Sequence, residues 1–124
     1  MRFPRRAAVL ALAAVSICAT GGCASRQAAS GAVRIGMVTD VGGLGDRSFN
    51  DSAYAGLVRA KNELHVQTTV LQSRSAADYQ INMTVLANKE FSEIFAIGFL
   101  MARDVTEVAE RYPKRHFSII DAVV

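Results

Sequence analysis

The 124-residue sequence is poor in the residue types that form covalent cross-links and metal sites. It contains two cysteines, Cys18 and Cys23, and two histidines, His65 and His116. No cluster of His, Cys and Asp has the spacing of a metal site, and both histidines are expected to be surface residues at strand starts. Cys18 lies in an N-terminal apolar run that we expect to be removed, so a disulfide is not expected. Stability must then come from burial of apolar side chains.

Motifs that bind nucleotide phosphates or activate a nucleophile are missing as well. The stretch "GGLGDRS" (residues 42–48) has neither a G-x-G-x-x-G fingerprint nor the lysine of a P-loop. No serine lies in a G-x-S-x-G elbow. Three of the 14 basic residues lie in the first six positions, which leaves 11 basic residues against 11 acidic ones. We therefore expect no enzyme, no cofactor and no nucleic-acid partner.

The first 22 residues have the layout of a secretory signal. Met1–Arg6 is basic, Ala7–Ala19 is small and apolar, and "TGGC" follows. The apolar run is shorter than the roughly 20 residues that a membrane-spanning helix needs. The end of the run resembles the lipobox of bacterial lipoproteins, although Thr20 stands where leucine is usual. We predict a lipoprotein signal peptide over residues 1–22 and lipidation of Cys23; the alternative is an ordinary signal cleaved at another bond.

After the signal, a tether precedes an alternation of strands and helices. Residues 23–32 are small, polar and aperiodic, which predicts a flexible tether. The predicted strands are Val33–Val38, His65–Gln72, Glu93–Phe99 and His116–Asp121. Apolar residues at helical spacing lie between them: Ala53, Leu57, Ala60 and Leu64; Ile81 and Val85; Val105, Val108, Ala109 and Tyr112. The alternation predicts an α/β fold with a doubly wound parallel sheet. Its fourth strand would be an exposed apolar edge, so we interpret residues 33–124 as the front part of a longer protein.

Carboxylates follow the first and fourth predicted strands. Asp40 and Asp46 flank the glycines of the loop after the first strand, and Asp121 follows the fourth. In open α/β sheets, ligands lie beyond the carboxyl ends of the strands. Carboxylates repel phosphate but accept hydrogen bonds from hydroxyl and N–H groups. Each of the three also has a purely structural interpretation, as a turn or cap residue.

Three residues at the start of the first helix add to this candidate site. Phe49 offers a flat stacking surface, and Asn50 has a donor and an acceptor side by side, the pattern that pairs with an adenine-type edge. Ser48 forms an S-x-x-D pattern with Asp51 that favours helix capping over ligand contact. The alternative for Phe49 is packing against the first helical turn. These residues favour an uncharged ring with hydroxyls and amines, so a nucleoside fits better than a nucleotide.

Three blocks of the sequence carry a family resemblance. "IGMVTDVGGLGDRSFNDSAYAGL", "GFLMARDVTEVAERYP" and "FSIIDAVV" follow one another in this order behind the signal. They closely resemble the basic membrane protein family of ABC-transporter substrate-binding lipoproteins, in which the purine nucleoside receptors are best understood. The resemblance implies the fold of type I periplasmic binding proteins, with two Rossmann-like lobes closing on a ligand. Residues 33–124 would then be a partial N-terminal lobe, with the second lobe absent.

The same resemblance implies roles for individual residues. The aromatic Phe49 would stack on a purine, Asn50 and Asp121 would bind the base edge, and Asp40 would line the cleft. The turn Gly98–Met101 would either line the cleft, with Gly98 and Met101 as contacts, or pack at the strand end. Gly45 departs from the family pattern, which usually has Asn or Asp there.

The implied function is that of a lipid-anchored receptor on the extracytoplasmic face of the cell membrane, or in the periplasm. It would capture a purine nucleoside and deliver it to the permease of an ABC importer, and it would be a monomer at full length. The alternatives are a surface antigen or regulatory lipoprotein that has the same lobe without a transport role, and a non-functional truncated fragment.

Overall fold

The computed structural model describes residues 33–124, which form four parallel strands and three helices. The strands are β1 (Arg34–Thr39), β2 (Gln67–Gln72), β3 (Glu93–Ile97) and β4 (His116–Ile120). The helices are α1 (Phe49–Leu64), α2 (Asp78–Asn88) and α3 (Ala102–Arg111), and a 3-10 turn, Phe99–Met101, leads into α3. The predicted α/β class with a parallel sheet is confirmed. The predicted signal peptide, Cys23 and the tether lie outside the described residues.

The strand order β2-β1-β3-β4 creates a reversal in the middle of the sheet. The chain leaves β1 toward β2 on one side, and after β2 it crosses back to place β3 on the other side of β1. Gly36 in β1 is therefore in register with both Thr69 and Ile94. Open α/β sheets bind ligands at the carboxyl ends of the strands where the order reverses. In this fold that position lies between the ends of β1 and β3.

Right-handed crossovers place α2 and α3 on one face of the sheet and α1 on the other. The larger core lies under α2 and α3, and its largest fully buried side chains are Tyr79, Met83, Leu86, Ile94, Met101, Val38, Val105 and Val108. Each buried aliphatic side chain of this size contributes roughly 1.5–3 kcal/mol. The smaller core, formed by Met37, Leu57 and Ile97, joins α1 to the sheet. The two cores hold the carboxyl ends of β1 and β3 rigidly together.

Three apolar residues lie elsewhere than the sequence pattern predicts. Phe99 is 62% exposed in the 3-10 turn and is not the end of a buried strand, because Gly98 ends the extended backbone with a positive φ. Ile81 is exposed on α2, where Tyr79, Met83 and Leu86 face the core instead. Leu64, at the end of α1, is also exposed because the helix extends past the sheet contact.

The face of the sheet under α1 is only partly covered. A groove of about 330 Å³ lies beside α1 and is lined by apolar residues of α1, β1, β3 and β4. Strand β4 forms one edge of the sheet, as expected. The histidines are exposed as predicted, although His65 caps the end of α1 in a left-handed conformation and does not begin a strand. None of the helices within residues 33–124 has the length and apolarity needed to cross a bilayer.

Candidate functional site

The loop between β1 and α1 is held in place by its own polar groups. Asp40, directly after β1, accepts a hydrogen bond from the Gly42 N–H on Oδ1 at 2.8 Å, and its carbonyl accepts from the Gly43 N–H at 3.2 Å. The Leu44 N–H donates to Oε1 of Gln72, at the end of β2, at 2.9 Å. The loop is therefore fastened to the carboxyl ends of two strands. Sequence reasoning missed Gln72, since a glutamine at a strand end has no distinctive pattern.

Asp46 caps helix α1. Its Oδ1 accepts from the backbone N–H groups of Ser48 at 2.8 Å and Asp51 at 3.1 Å, and its Oδ2 accepts from that of Asn50 at 3.0 Å. Ser48 occupies the N-cap position without a side-chain cap hydrogen bond, so the predicted Ser48 cap is wrong. The hydrogen bonds, that from Ser48 foremost, hold the pKa of Asp46 below its ordinary value of 3.8, so the group is ionised at neutral pH.

Asp51 points back from the first turn of α1 to the loop. It accepts from the Gly45 N–H at 2.7 Å and from the Arg47 N–H at 2.9 Å. Gly45 has a φ of +95° and Arg47 a φ of +53°, so a residue with a positive φ lies on each side of Asp46. Asp51 is the aspartate of the predicted S-x-x-D pattern. It accepts from backbone N–H groups of the loop, and it does not accept from the N–H of Ser48 as that pattern predicts.

Asn50 is the most buried polar residue of the loop region, at 2% exposure. Its side-chain Nδ2 donates to Oδ1 of Asp40 at 2.8 Å and to Oδ2 of Asp46 at 3.0 Å. Both N–H groups of the carboxamide are thus used within the protein. The predicted donor and acceptor pair for a ligand edge is therefore wrong in this structure, because only Oδ1 has no hydrogen-bond partner among residues 33–124.

Phe49 lies beside this network with 55% of its surface exposed. It begins α1 and belongs to neither of the two cores, so it is not a core residue. A half-exposed aromatic ring next to aligned acceptors is a suitable stacking surface. Its role toward a ligand stays a prediction.

Gly98 joins the ends of three strands. It follows β3 with a φ of +112°, and a Cβ atom added to it would lie 2.9 Å from Oδ2 of Asp40. Its N–H donates to the carbonyl of Ile120, the last residue of β4, at 3.1 Å. Asp121 comes next, exposed and with a φ of +75°. The structure therefore brings Asp40 and Gly98 into contact and places Asp121 one residue from that contact.

The turn after β3 divides into a buried and an exposed part. The sequence left open whether Met101 lines the crevice or packs at the strand end; its side chain is fully buried in the core under α2 and α3. Phe99 and Leu100 are 62% and 53% exposed at the carboxyl end of β3. The sequence placed both residues in a turn that either lines the cleft or packs at the strand end, but singled out Gly98 and Met101 as the contacts, although Gly98 before Phe99 was the signal that the strand ends there.

The carboxyl edge of the sheet presents polar groups and apolar groups side by side. Its polar groups are mainly carboxylate and carbonyl oxygens, beside the carboxamide of Gln72 and the exposed guanidinium of Arg47, and the apolar groups Phe49, Phe99 and Leu100 lie at the same edge of the sheet. Within residues 33–124, no group of three His, Cys, Asp or Glu side chains has the geometry of a metal site. Burial is the main reason that the pKa of Tyr79 lies above its ordinary value of 10.0, which keeps this nearby phenol neutral. The edge therefore combines hydrogen-bond acceptors with exposed apolar surface.

Known proteins are similar to this chain in sequence and in fold. A model of the Bmp family, described as "ABC transporter substrate-binding protein PnrA-like", matches residues 33–124. The chain is 37% identical over 115 residues to an uncharacterized lipoprotein of Pyrococcus abyssi. This match covers 92% of this chain and 28% of the relative. It is 37% identical over 127 residues to a protein of Lactococcus lactis named ABC transporter nucleoside-binding protein BmpA, with 94% of this chain and 36% of the relative covered.

A solved structure agrees with these sequence matches. The crystal structure of an ABC transporter system solute-binding protein from Aeropyrum pernix is 34% identical, with a TM-score of 0.69 over 74% of this chain and 25% of that chain. The chain thus spans about a quarter to about a third of the length of these relatives. Because the family model covers all the described residues and the fold agrees with a solute-binding protein, the chain belongs to the Bmp family of PnrA-like substrate-binding proteins of ABC transporters, which are not enzymes.

Proposed function

We propose that this protein binds a purine nucleoside at the carboxyl edge of its sheet and delivers it to the permease of an ABC importer. The observation that carries the proposal is the exposed ring of Phe49 beside the acceptor network of Asp40, Asn50 and Asp46. A purine offers a flat face for stacking and N–H groups for the acceptors. The relative from Lactococcus lactis, named a nucleoside-binding protein, supports the same class of ligand.

A nucleoside suits this edge better than a nucleotide because of its charge. Asp40, Asp46 and Asp51 lie within one loop and first helical turn, and Asp121 follows β4 at the same edge. The N–H groups that usually bind phosphate at a helix N-terminus are occupied, since Asp46 accepts from those of Ser48, Asn50 and Asp51. A phosphate dianion would meet repulsion and find few free donors.

The proposal also covers the organisation of the whole protein. Residues 1–22 act as a lipoprotein signal, Cys23 carries the lipid, residues 23–32 are the tether and residues 33–124 form part of the first lobe. A second lobe in a longer chain would close over the ligand, and ligand contacts to both lobes would shift the population toward the closed state. The protein would act as a monomer on the extracytoplasmic face of the cell membrane. The relatives named lipoproteins support this location.

Calorimetry on the protein expressed from its complete gene tests the ligand class. We expect inosine, guanosine and adenosine to bind more tightly than their 5′-monophosphates. Phe49→Ala should weaken nucleoside binding roughly 5- to 150-fold, the equivalent of one lost base-stacking contact of about 1–3 kcal/mol.

Tyr54→Ala is the matched control, because Tyr54 is an exposed aromatic on the same helix but lies more than one turn away from the loop. It should leave affinity unchanged. Tighter binding of the monophosphates, or equal effects of the two substitutions, would contradict the proposal.

A further inference from the structure

The orientation of the Asn50 carboxamide is fixed by charge. Its Nδ2 atom lies 2.8 Å from Oδ1 of Asp40 and 3.0 Å from Oδ2 of Asp46. A carboxamide turned by half a rotation would place its oxygen against both carboxylates, which is repulsive, and would leave each of the two carboxylate oxygens with one donor fewer. Because the residue is 2% exposed, water is not available to relieve that repulsion. The amide nitrogen therefore faces the protein and Oδ1 points away from the two carboxylates.

The Oδ1 atom of Asn50 is buried and has no hydrogen-bond partner among residues 33–124. Buried acceptors without a partner are uncommon in folded proteins, since burial removes the water that would otherwise bind them. Three buried side-chain polar atoms without a hydrogen-bond partner occur in the described residues, and of these the donor Nε of Arg34 and the acceptor Oε1 of Glu93 lie at the amino end of the sheet. Asn50 alone among them lies at the carboxyl end, where the strand order reverses. Its free acceptor is where a ligand donor would complete the network.

We propose that Asn50 recognises its ligand only as a hydrogen-bond acceptor, and that Asp46, together with Asp40, is a positioning residue that prevents the amide from turning. The inference rests on the proposed function and adds a rule of ligand selection to it. A purine must then present an N–H donor to Asn50: the N1–H of a 6-oxopurine or the amino group of a 6-aminopurine. A purine without either group leaves the acceptor buried and unpaired.

Asp46 caps α1 and also holds the amide of Asn50. A second aspartate, Asp78, serves as a control for the first of these roles. Asp78, the first residue of α2, is likewise an aspartate at a helix start that binds backbone N–H groups: its Oδ2 accepts from those of Arg74 at 2.8 Å and Ser75 at 3.0 Å, in the turn before the helix. No hydrogen bond joins Asp78 to Asn50. Replacing either aspartate removes hydrogen bonds to backbone N–H groups at a helix start, but only the loss of Asp46 removes one of the two carboxylates that hold the amide of Asn50.

Calorimetry with three ligands tests the selection rule on the unaltered protein expressed from its complete gene. The probes are inosine, adenosine and purine riboside, which keeps the ring and the ribose but lacks both donors. We expect purine riboside to bind about tenfold more weakly, or worse, than each of the other two, because sites built to hydrogen-bond a ligand donor reject analogues without it. If inosine and adenosine bind and purine riboside binds equally well, the inference fails while the proposed function stands. If none of the three binds, the proposed function fails.

Variants then test whether the hydrogen bonds around Asn50 cause this ligand selection. Asn50→Ala should reduce the difference in affinity between inosine and purine riboside to within about threefold, since no acceptor is left unpaired. Asp46→Ala should also narrow this difference in affinity, because the amide is then held by Asp40 alone and turns more easily to donate, whereas Asp78→Ala should leave the difference unchanged. An undiminished difference in Asn50→Ala, or equal effects of Asp46→Ala and Asp78→Ala, would overturn the inference. The ligand series on the unaltered protein remains decisive if a variant fails to fold.

Discussion

At the carboxyl end of β3, the backbone of Gly98 lies directly against the carboxylate of Asp40. Its φ of +112° belongs to a region that side chains disfavour, and a Cβ atom there would come within 2.9 Å of Oδ2 of Asp40. The same residue donates its N–H to the end of β4. A glycine at this position therefore allows the strand ends that form the candidate site to approach one another.

Gly98→Ala should destabilise the protein by about 1–3 kcal/mol, because it combines backbone strain with a close contact to Asp40. Gly56→Ala is the matched control: Gly56 lies within α1 and has open space around its Cβ position, so the change should stabilise by about 0.5–1 kcal/mol. Urea unfolding of both variants measures the difference. A loss of stability of the same size in both would show that neither the strain nor the contact at Gly98 matters.

The sequence predicts which residues gather at the candidate site, but it does not predict their hydrogen-bond partners. Their position after β1, β3 and β4 follows from strand ends in the sequence, so Asp40, Phe49, Asn50, Gly98 and Asp121 all lie at the carboxyl edge. Which oxygen meets which N–H depends on loop geometry. The pattern alone favoured Ser48 as the helix cap, whereas the residues with a positive φ on each side of Asp46 bring its carboxylate onto the helix N-terminus instead.

At the scale of elements, α1 and the loop before it form one hydrogen-bonded unit. Asp46 reaches forward to the first turn of α1, and Asp51 reaches back from that turn to Gly45 and Arg47. The pKa of Asp46 is lowered mainly by the N–H of Ser48, so the folded protein binds a proton at this group less readily than the unfolded chain does. The stability that Asp46 provides is therefore fully present above its ordinary pKa of 3.8 and is lost as the pH falls through the lower folded value.

We expect the free energy of unfolding to fall as the pH is lowered below about 4, and to fall less steeply in Asp46→Asn, which keeps the size of the side chain but removes its titration. Urea unfolding at a series of pH values measures the two slopes. Asp78 has a pKa lowered in the same direction, chiefly by the N–H of Arg74, so part of the acid dependence should remain in the variant. Equal slopes in the variant and the unaltered protein would exclude a contribution from Asp46.

Helix α2 shows where a sequence pattern fails at this scale. The spacing of Ile81 and Val85 predicted one buried face, but Tyr79, Met83, Leu86 and Ala87 are the buried residues. Both sets have helical spacing, and amphipathic periodicity alone does not decide between two candidate faces. The choice is made by the rotation of α2 against the sheet and α3, where Leu86 packs close enough that a Cβ added to Gly36 would meet it at 2.7 Å.

At the scale of the whole molecule, the two edges of the sheet have different surroundings. The carboxyl edge carries the candidate site, whereas the amino edge begins at Val33, next to the residues that we interpret as the tether. A lipid anchor before the tether would therefore be attached at the edge opposite the candidate site. This arrangement keeps the proposed ligand crevice away from the point of attachment.

Cys23→Ser should release the protein from the membrane fraction of expressing cells, because Cys23 is the proposed site of lipidation. Cys18→Ser is the matched control and should leave the protein in the membrane fraction, since Cys18 belongs to the proposed signal peptide. Mass spectrometry of the membrane-bound form should place the lipid on an N-terminal Cys23. Membrane association that survives Cys23→Ser, with cleavage at another bond, would instead favour an ordinary signal.

The sequence by itself determined the α/β alternation, the parallel sheet and the edge at which polar residues gather, because hydrophobic periodicity and glycine positions act locally along the chain. The tertiary structure alone decided that Asp46 and not Ser48 caps α1, that Met101 fills the core, and that Asn50 keeps only an acceptor free. These outcomes depend on distances between atoms set by loop closure and helix rotation, which the order of residue types does not specify even for residues as near in sequence as Asp46 and Asn50.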